Sequence, residues 1–330
     1  MKLKPRFKPT TNPLSRQRGV AVITALLLTT LAITIVASLF WAQQVQVRSM
    51  ENQRLHLQTK WILRGALDWA GLVLRQDARD NGTTNLNQVW ATPLAETRLD
   101  QYIERERVQG EVFDATVSGS IVDATSRYNL ANLAKQRQPL LAQIGIYKRL
   151  LANLKLDPAL AERTANAVAS AQTVEVGNEP PFVDGPKPVA RTNNAPLRLT
   201  QLDDLLAIPG YTVEVVNKLR EFVIVLPDTT KVNVNTAPPE VLAAVIEDFS
   251  LAEANTLVAR RKSAAWINTR QFKTELGGKL VIDDAVAIQS NYFLVLSRVR
   301  LDRAALNAEA LINRGSDGRK LTTLVWVRQN

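Results

Sequence analysis

The chain has 330 residues, with 41 Lys and Arg against 31 Asp and Glu, one His and no Cys. Its formal charge of +10 points first to nucleic acid or a membrane surface. With no Cys and a single His, the chain alone cannot build a Cys/His zinc site, a thiol nucleophile or a disulfide, and any His-based triad must use His56.

The charge is unevenly placed. Lys2, Lys4, Arg6, Lys8, Arg16 and Arg18 stand before residue 19 with no acid among them, and the rest of the chain is left mildly basic. From Val20 to Ala42 no residue is charged. As a helix, such a run spans roughly 35 Å, enough for a bilayer core of about 30 Å. The basic arm favours a cytoplasmic N-terminus and a body on the far side of the membrane. An uncleaved signal anchor is one reading. The junction Arg16-Gln17-Arg18-Gly19 resembles a type IV prepilin leader instead. That resemblance implies cleavage by a prepilin peptidase between Gly19 and Val20, then N-methylation of Val20.

Beyond the apolar run, Ile62, Ala66, Trp69 and Val73 recur at helical spacing, so the helix is expected to continue through residues 43–80. The alternative is a break near Gln43–Gln46. After Asn81-Gly82, short β-prone runs at Val112–Val117 and Ile121-Val122 predict a hairpin at Ser118-Gly119. Helices are expected over Pro139–Leu154, Pro158–Ala171, Leu202–Ala207, Val213–Phe222, Pro239–Ile246 and Leu251–Arg261. A proline-rich loop is expected over 174–198. Strands return at Tyr292–Leu301 and Lys320–Arg328, with a turn at Gly315–Gly318. The order gives an α+β fold, a long N-terminal membrane-spanning helix with an antiparallel sheet interrupted by a large, mostly helical insertion.

Two places read as helix–hairpin–helix units. One is Leu202–Tyr211 with the helix from Val213, and the other is Val232–Val245 with the helix after it. DNA-binding versions present backbone N–H groups at a glycine-rich turn. Here the first turn has only Gly210, and the second, Ile246-Glu247-Asp248-Phe249, has two acids and no glycine. A structural role is favoured, and a membrane-tethered DNA-binding protein is the rival reading. Arg260-Arg261-Lys262 reads as a solvated helix end. Thr236 and Asp204 read as helix starts. His56 reads as a solvated residue, no Gly-x-Ser-x-Gly elbow occurs, and no enzyme is expected.

Four segments in this order resemble the general secretion pathway protein K family, minor pseudopilins of the type II secretion system. They are Arg18-Gly19-Val20 with its apolar run, Val122–Leu133 (VDATSRYNLANL), Val232–Leu242 (VNVNTAPPEVL) and Ser290–Phe293 (SNYF). The resemblance implies a basic leader at 1–19, a transmembrane segment at 20–42 and a periplasmic continuation of the helix at 43–80. It also implies a pilin-like head from 81–127 and 283–330, with a helical insertion at 128–282. The implied place is the tip of a periplasmic pseudopilus. Implied partners are the other minor pseudopilins, the major pseudopilin, the prepilin peptidase and the inner membrane, without nucleic acid. Pilin-like subunits usually carry Glu five residues into the mature helix, where this chain has Thr24. Family members also commonly carry an acidic segment linked to calcium. The corresponding Ala165–Gln172 holds no acid, and Glu175, Glu179 and Asp184 follow among prolines. They are read as solvated loop charges with no cofactor, and a calcium site is the alternative.

Overall fold

A computed structural model describes residues 18–101, 114–172, 198–282, 284–315 and 321–329. The chain divides into two units, Met1–Gln58 and Thr59–Asn330. Helix α1, Arg18–Asp80, runs from one into the other and is helical through Gln43–Gln46.

In the first unit, the described side chains of α1 are exposed or half-exposed, including Val22, Leu26, Leu31, Val36 and Phe40. One window of the helix has mean hydropathy 2.5, long and apolar enough to cross a membrane. The hydroxyls of Thr24, Thr29, Thr30 and Thr34 donate to carbonyls one turn back, at 2.8–3.0 Å. Those bonds need no water, so the threonines suit a hydrocarbon surrounding.

In the second unit, Leu63, Leu67, Ala70 and Leu74 turn their face of α1 onto a five-stranded antiparallel sheet. This stripe lies one residue beyond the expected Ile62, Ala66, Trp69 and Val73. Both sets share the helical period, and only the sheet decides which is covered. Ile62, Ala66 and Val73 flank the core, while Trp69 is 51% exposed. The strands are β1 (Leu94–Arg98), β2 (Ala115–Asp123), β3 (Tyr292–Leu301), β4 (Ala304–Arg314) and β5 (Thr322–Gln329), side by side in chain order.

Strand β2 passes straight through Ser118-Gly119, where a hairpin was expected. Gly119 lies opposite Ser297, and a Cβ there would sit 2.4 Å from the Leu296 carbonyl oxygen. The glycine serves close strand approach rather than a turn. Strand β4 was not expected at all. Its sequence AALNAEALINR is rich in helix formers, yet Leu306, Ala308, Ala310 and Ile312 alternate into the core against Phe293, Val295 and Val299. The β3–β4 turn puts Asp302 at φ +50°, a left-handed conformation that Asp tolerates.

Between β2 and β3, which are hydrogen-bonded neighbours, residues 124–291 leave the sheet. The excursion holds α2 (Leu141–Asn153), α3 (Leu160–Ala171), α4 (Val213–Leu219), α5 (Pro239–Val245), α6 (Leu251–Ser263) and α7 (Thr269–Thr274). The expected helices are present, Leu202–Ala207 as a 3₁₀ turn, and α7 was missed. The expected loop at 174–198 and the turn centre at 316–318 lie largely outside the described residues.

The insertion has its own core. Tyr128 stacks on Tyr147 with ring centroids 5.6 Å apart, and Trp266 meets Phe272 edge-on at 4.9 Å. Leu150, Leu151, Val241, Leu242 and Leu219 are fully buried around them. Each such side chain contributes about 1.5–3 kcal/mol relative to exposure. The hydroxyls inside are paired, Tyr147 with Tyr211 at 2.9 Å and Tyr211 with Thr164 at 2.7 Å. Burial pushes all three phenols, Tyr128, Tyr147 and Tyr211, above the usual tyrosine range.

Candidate functional site

Three of the sequence motifs converge on one buried carboxylate. Strand β2 ends at Asp123, which is 1% exposed. The Thr125 N–H and hydroxyl both donate to its Oδ1 at 2.8 Å. Its Oδ2 accepts from Ser290 Oγ at 2.6 Å, Thr236 Oγ1 at 2.5 Å and Asn233 Nδ2 at 3.0 Å. Four side-chain donors and one backbone donor therefore offset the cost of burying this charge. Thr236 works here rather than as a helix cap, and the N-cap of α5 is Pro238.

The same cluster reaches the end of α1. Asn233 Nδ2 lies 3.0 Å from the Thr84 carbonyl oxygen, and Ser290 N–H donates to Thr84 Oγ1 at 3.2 Å. Arg314 of β4 donates to Asp77 of α1 at 2.8 Å, to Thr84 Oγ1 at 2.7 Å and to the Ser290 carbonyl at 2.8 Å. Both members of the Arg314–Asp77 pair are buried. A buried pair of this kind sets geometry more than it adds stability.

Asparagines in the motifs use their amides as short pieces of backbone. Asn132 gives Nδ2 to the Thr230 carbonyl at 2.7 Å and takes the Thr230 N–H at 2.9 Å. Asn235 does the same with Trp266, at 2.9 Å each way. Asn129 holds Leu226 N–H, the Asp228 carbonyl and Thr230 Oγ1. The Asn129 and Asn132 bonds fix loop 226–231, which delivers Val232 to its pairing with Val286. Asn carries both a donor and an acceptor, so one residue closes both bonds.

Both hairpin-like turns are occupied by protein. At Pro209-Gly210 the φ of Gly210 is +100°, and Arg163 Nη1 donates to the Pro209 carbonyl at 3.0 Å. A Cβ on Gly210 would meet that guanidinium at 2.3 Å. At the second turn, Glu247 N–H donates to the Leu280 carbonyl, and Lys279 Nζ binds the Asp248 carbonyl and Glu253. The basic triplet divides as well. Arg261 is buried and donates to the Val234 carbonyl at 2.7 Å, and burial lowers its guanidinium to about 10. Arg260 pairs with Glu275. The expectation of a solvated triplet fails because its middle residue faces the VNVN segment.

The N-terminal residues stand apart. Gly19 and Val20 lie in the first turn of α1, with Val20 exposed. Thr24 Oγ1 donates to the Val20 and Ala21 carbonyls, each at 3.0 Å. His56 is exposed on α1. Asp204 accepts from the N–H groups of Thr200 and Gln201, the expected helix-start role. Among the described residues, no three His, Cys, Asp or Glu side chains converge as a metal site. Glu175, Glu179 and Asp184 lie outside the described residues.

Two family models match, both described as type II secretion system (T2SS), protein K, one over residues 126–228 and the other over 232–293. They take in half of the chain and meet in the loop held by Asn129 and Asn132. A type II secretion system protein K from Pseudomonas aeruginosa is 29% identical, over 92% of this chain and 90% of its own length. One from Pectobacterium carotovorum is 25% identical, over 91% and 93%. Among solved structures, the fold resembles a chain of "The Crystal Structure of the GspK-GspI-GspJ complex from enterotoxigenic Escherichia coli Type 2 Secretion System". The TM-score is 0.65 at 18% identity, covering 85% of this chain and 99% of that one.

The family models and these relatives place the chain among components of type II secretion systems. The chain belongs to the type II secretion system protein K family.

Proposed function

We propose that the chain is a minor pseudopilin that caps the tip of the type II secretion pseudopilus, aiding its assembly and the export of folded proteins across the outer membrane. The observation that carries the tip position is Thr24. Its hydroxyl is satisfied inside its own helix. A carboxylate at that depth would need a partner, which pilin-like shafts supply as the amine of a neighbour above. A subunit with Thr24 requires no such neighbour, while its own Val20 amine remains free for the subunit below. The insertion at 124–291 is also bulky to repeat along a shaft. On this reading a prepilin peptidase cuts between Gly19 and Val20 on the cytoplasmic side, and Val20 is methylated. The body then lies in the periplasm, with the helix in the inner membrane.

Partners are the other minor pseudopilins and the major pseudopilin. The GspK chain of the solved complex is accompanied by GspI and GspJ, which makes their counterparts the first to test. Ile62, Ala66 and Val73 are partly covered by the head's own core, so Trp69 is the anchor left available. Truncating an aromatic anchor commonly costs 2 kcal/mol or more, so Trp69→Ala should weaken the complex at least about thirtyfold. Circular dichroism of the variant must match the parent protein. A folded parent that binds none of these partners while binding DNA with steep salt dependence would overturn the reading.

Mass analysis of the native N-terminus should find methylated Val20, and Gly19→Trp should retain the leader and abolish secretion. Thr24→Glu should not raise secretion, since its carboxylate has no amine to meet. Native protein beginning at Met1, or a rise in secretion with Thr24→Glu, would count against the proposal.

A further inference from the structure

The insertion leaves the sheet after Asp123 and returns at Tyr292, and Asp123 faces Phe293 in the register of β2 and β3. Covalently it hangs on a neck of two adjacent strands. Such a neck resists stretching but not bending about the strand pair. Two groups of contacts limit that bending, and they lie on opposite faces of the sheet. On the face away from α1, Ile224 and Leu226 of the insertion pack on Tyr292, Leu294 and Leu311. On the face toward α1 stands the Asp123 cluster, whose neighbour in the register, Phe293, packs into the α1 core.

The two differ in kind. The first is a small apolar contact, weakly directional in itself, with two hydrogen bonds at its rim, from the Tyr292 hydroxyl to Asp228 and from Arg328 to the Thr200 carbonyl at 2.9 Å. It ties the insertion to the sheet rather than to α1. The second is directional and has a tether of its own. Thr84 N–H donates to the Ile288 carbonyl at 2.8 Å, and Gln289 Nε2 donates to the Gly82 carbonyl at 2.6 Å. Asn233 and Ser290 complete the tether, and Arg314 anchors it to Asp77 of α1. Beside it opens a cleft of about 900 Å³, walled by Gly82, Lys231, Gln289 and Asn313 and by Ala287 and Leu321.

We propose that Asp123, Asn233, Thr236 and Ser290, tied to Gly82–Thr84, form a latch that sets the angle of the insertion against α1. The apolar contact on the other face is the pivot. Breaking the latch lets the insertion swing while each half keeps its own core. The proposal rests on the fold alone, so it stands or falls separately from the tip reading.

The chain has no Cys, so two introduced cysteines accept spin labels without background. Asp68→Cys on α1 and Lys262→Cys on α6 are both exposed positions. In full-length protein held in detergent, pulsed electron resonance should give a narrow distance distribution between them. Asn233→Ala with Thr236→Val should broaden it by about twofold or more, as hinge motions do when a fixing contact is lost. Amide exchange at Leu150, Leu242 and Val295 should stay slow in the same variant. Ser290→Ala with Thr236→Val is a milder second variant with the same expectation. An unchanged width in both variants would overturn the latch. So would loss of amide protection in both cores together, because the residues would then belong to one folding unit.

Discussion

Beside the sheet, α1 buries Leu63, Leu67, Ala70 and Leu74 but leaves Trp69 and Leu72 more than half exposed on its flanks. Trp69, Val73 and Val89 line one apolar groove there, with Trp90 and Val117 at its floor. The insertion differs. Among its described residues, exposed apolar side chains such as Ile267 and Leu280 stand singly in loops, and Tyr128, Tyr147, Trp266 and Phe272 are enclosed. Single exposed apolar residues are ordinary, whereas these side chains beside α1 are contiguous. The sheet half therefore keeps an open apolar groove beside α1, whereas the described aromatic core of the insertion is enclosed. The polar junction lies between the two large cores, which only the small cluster of Ile224, Leu226, Tyr292, Leu294 and Leu311 bridges.

The largest effects should come from emptying each core in turn. Phe293 is fully buried against Trp90 at 5.2 Å and under the Arg314 guanidinium at 4.8 Å. Trp266 is fully buried in the insertion, its Nε1 bonded to Glu275 at 3.0 Å. Replacing either by Ala should cost about 3–5 kcal/mol. Hydrogen exchange separates the two. Phe293→Ala should expose amides of β3 and β4 before those of α2 and α5, and Trp266→Ala should do the reverse. Identical exchange patterns would mean that the two cores unfold as one.

A smaller effect tests the strand crossing. Gly119→Ala forces a methyl against the backbone oxygen of Leu296, which cannot rotate away. A cost of about 1–3 kcal/mol is expected from such overpacking, confined to the sheet half. Gly82→Ala is the control, since nothing lies within 4 Å of its added Cβ. Its melting temperature should match the parent protein, and equal losses in the two variants would refute the steric account.

These sites also show what could be read from residues alone. Tyr292–Leu301 was legible as a strand because its β-branched and aromatic residues agree with its surroundings. Ala304–Arg314 was not, since its Ala, Leu and Glu favour helix and only β3 and β5 on either side hold it extended. The glycine of Ser118-Gly119 looked like a turn because sequence shows the missing Cβ but not the carbonyl that requires it to be missing. Period alone could not choose between the Ile62 and Leu63 stripes of α1. The motifs VDATSRYNLANL, VNVNTAPPEVL and SNYF were visible as segments. That Asp123, Asn233, Thr236 and Ser290 meet was not, because more than a hundred residues separate Asp123 from its nearest partner in another motif. Arg261 looked solvated for a similar reason, its acceptor being a carbonyl 27 residues away.

The smallest expected effect concerns a helix start inside the insertion and reads it by pH. Ser250 and Glu253 form a reciprocal cap on α6, with Ser250 Oγ accepting the Glu253 N–H and Glu253 accepting the Ser250 N–H at 2.8 Å. The Lys279 ammonium, with the hydroxyl and N–H of Ser250, holds the Glu253 carboxyl down at about 2, from an ordinary 4.5. A carboxylate depressed on folding contributes stability above its unfolded value and loses it as pH falls through the folded one. Glu253→Gln keeps the shape but removes the charge. The variant should therefore melt slightly below the parent protein at neutral pH, and the gap should close between pH 4.5 and about 2. Glu253 is solvent-accessible, so added salt should narrow the gap at neutral pH as well. A gap that persists unchanged at pH 2 would assign the effect to the amide's poorer fit at the cap rather than to charge.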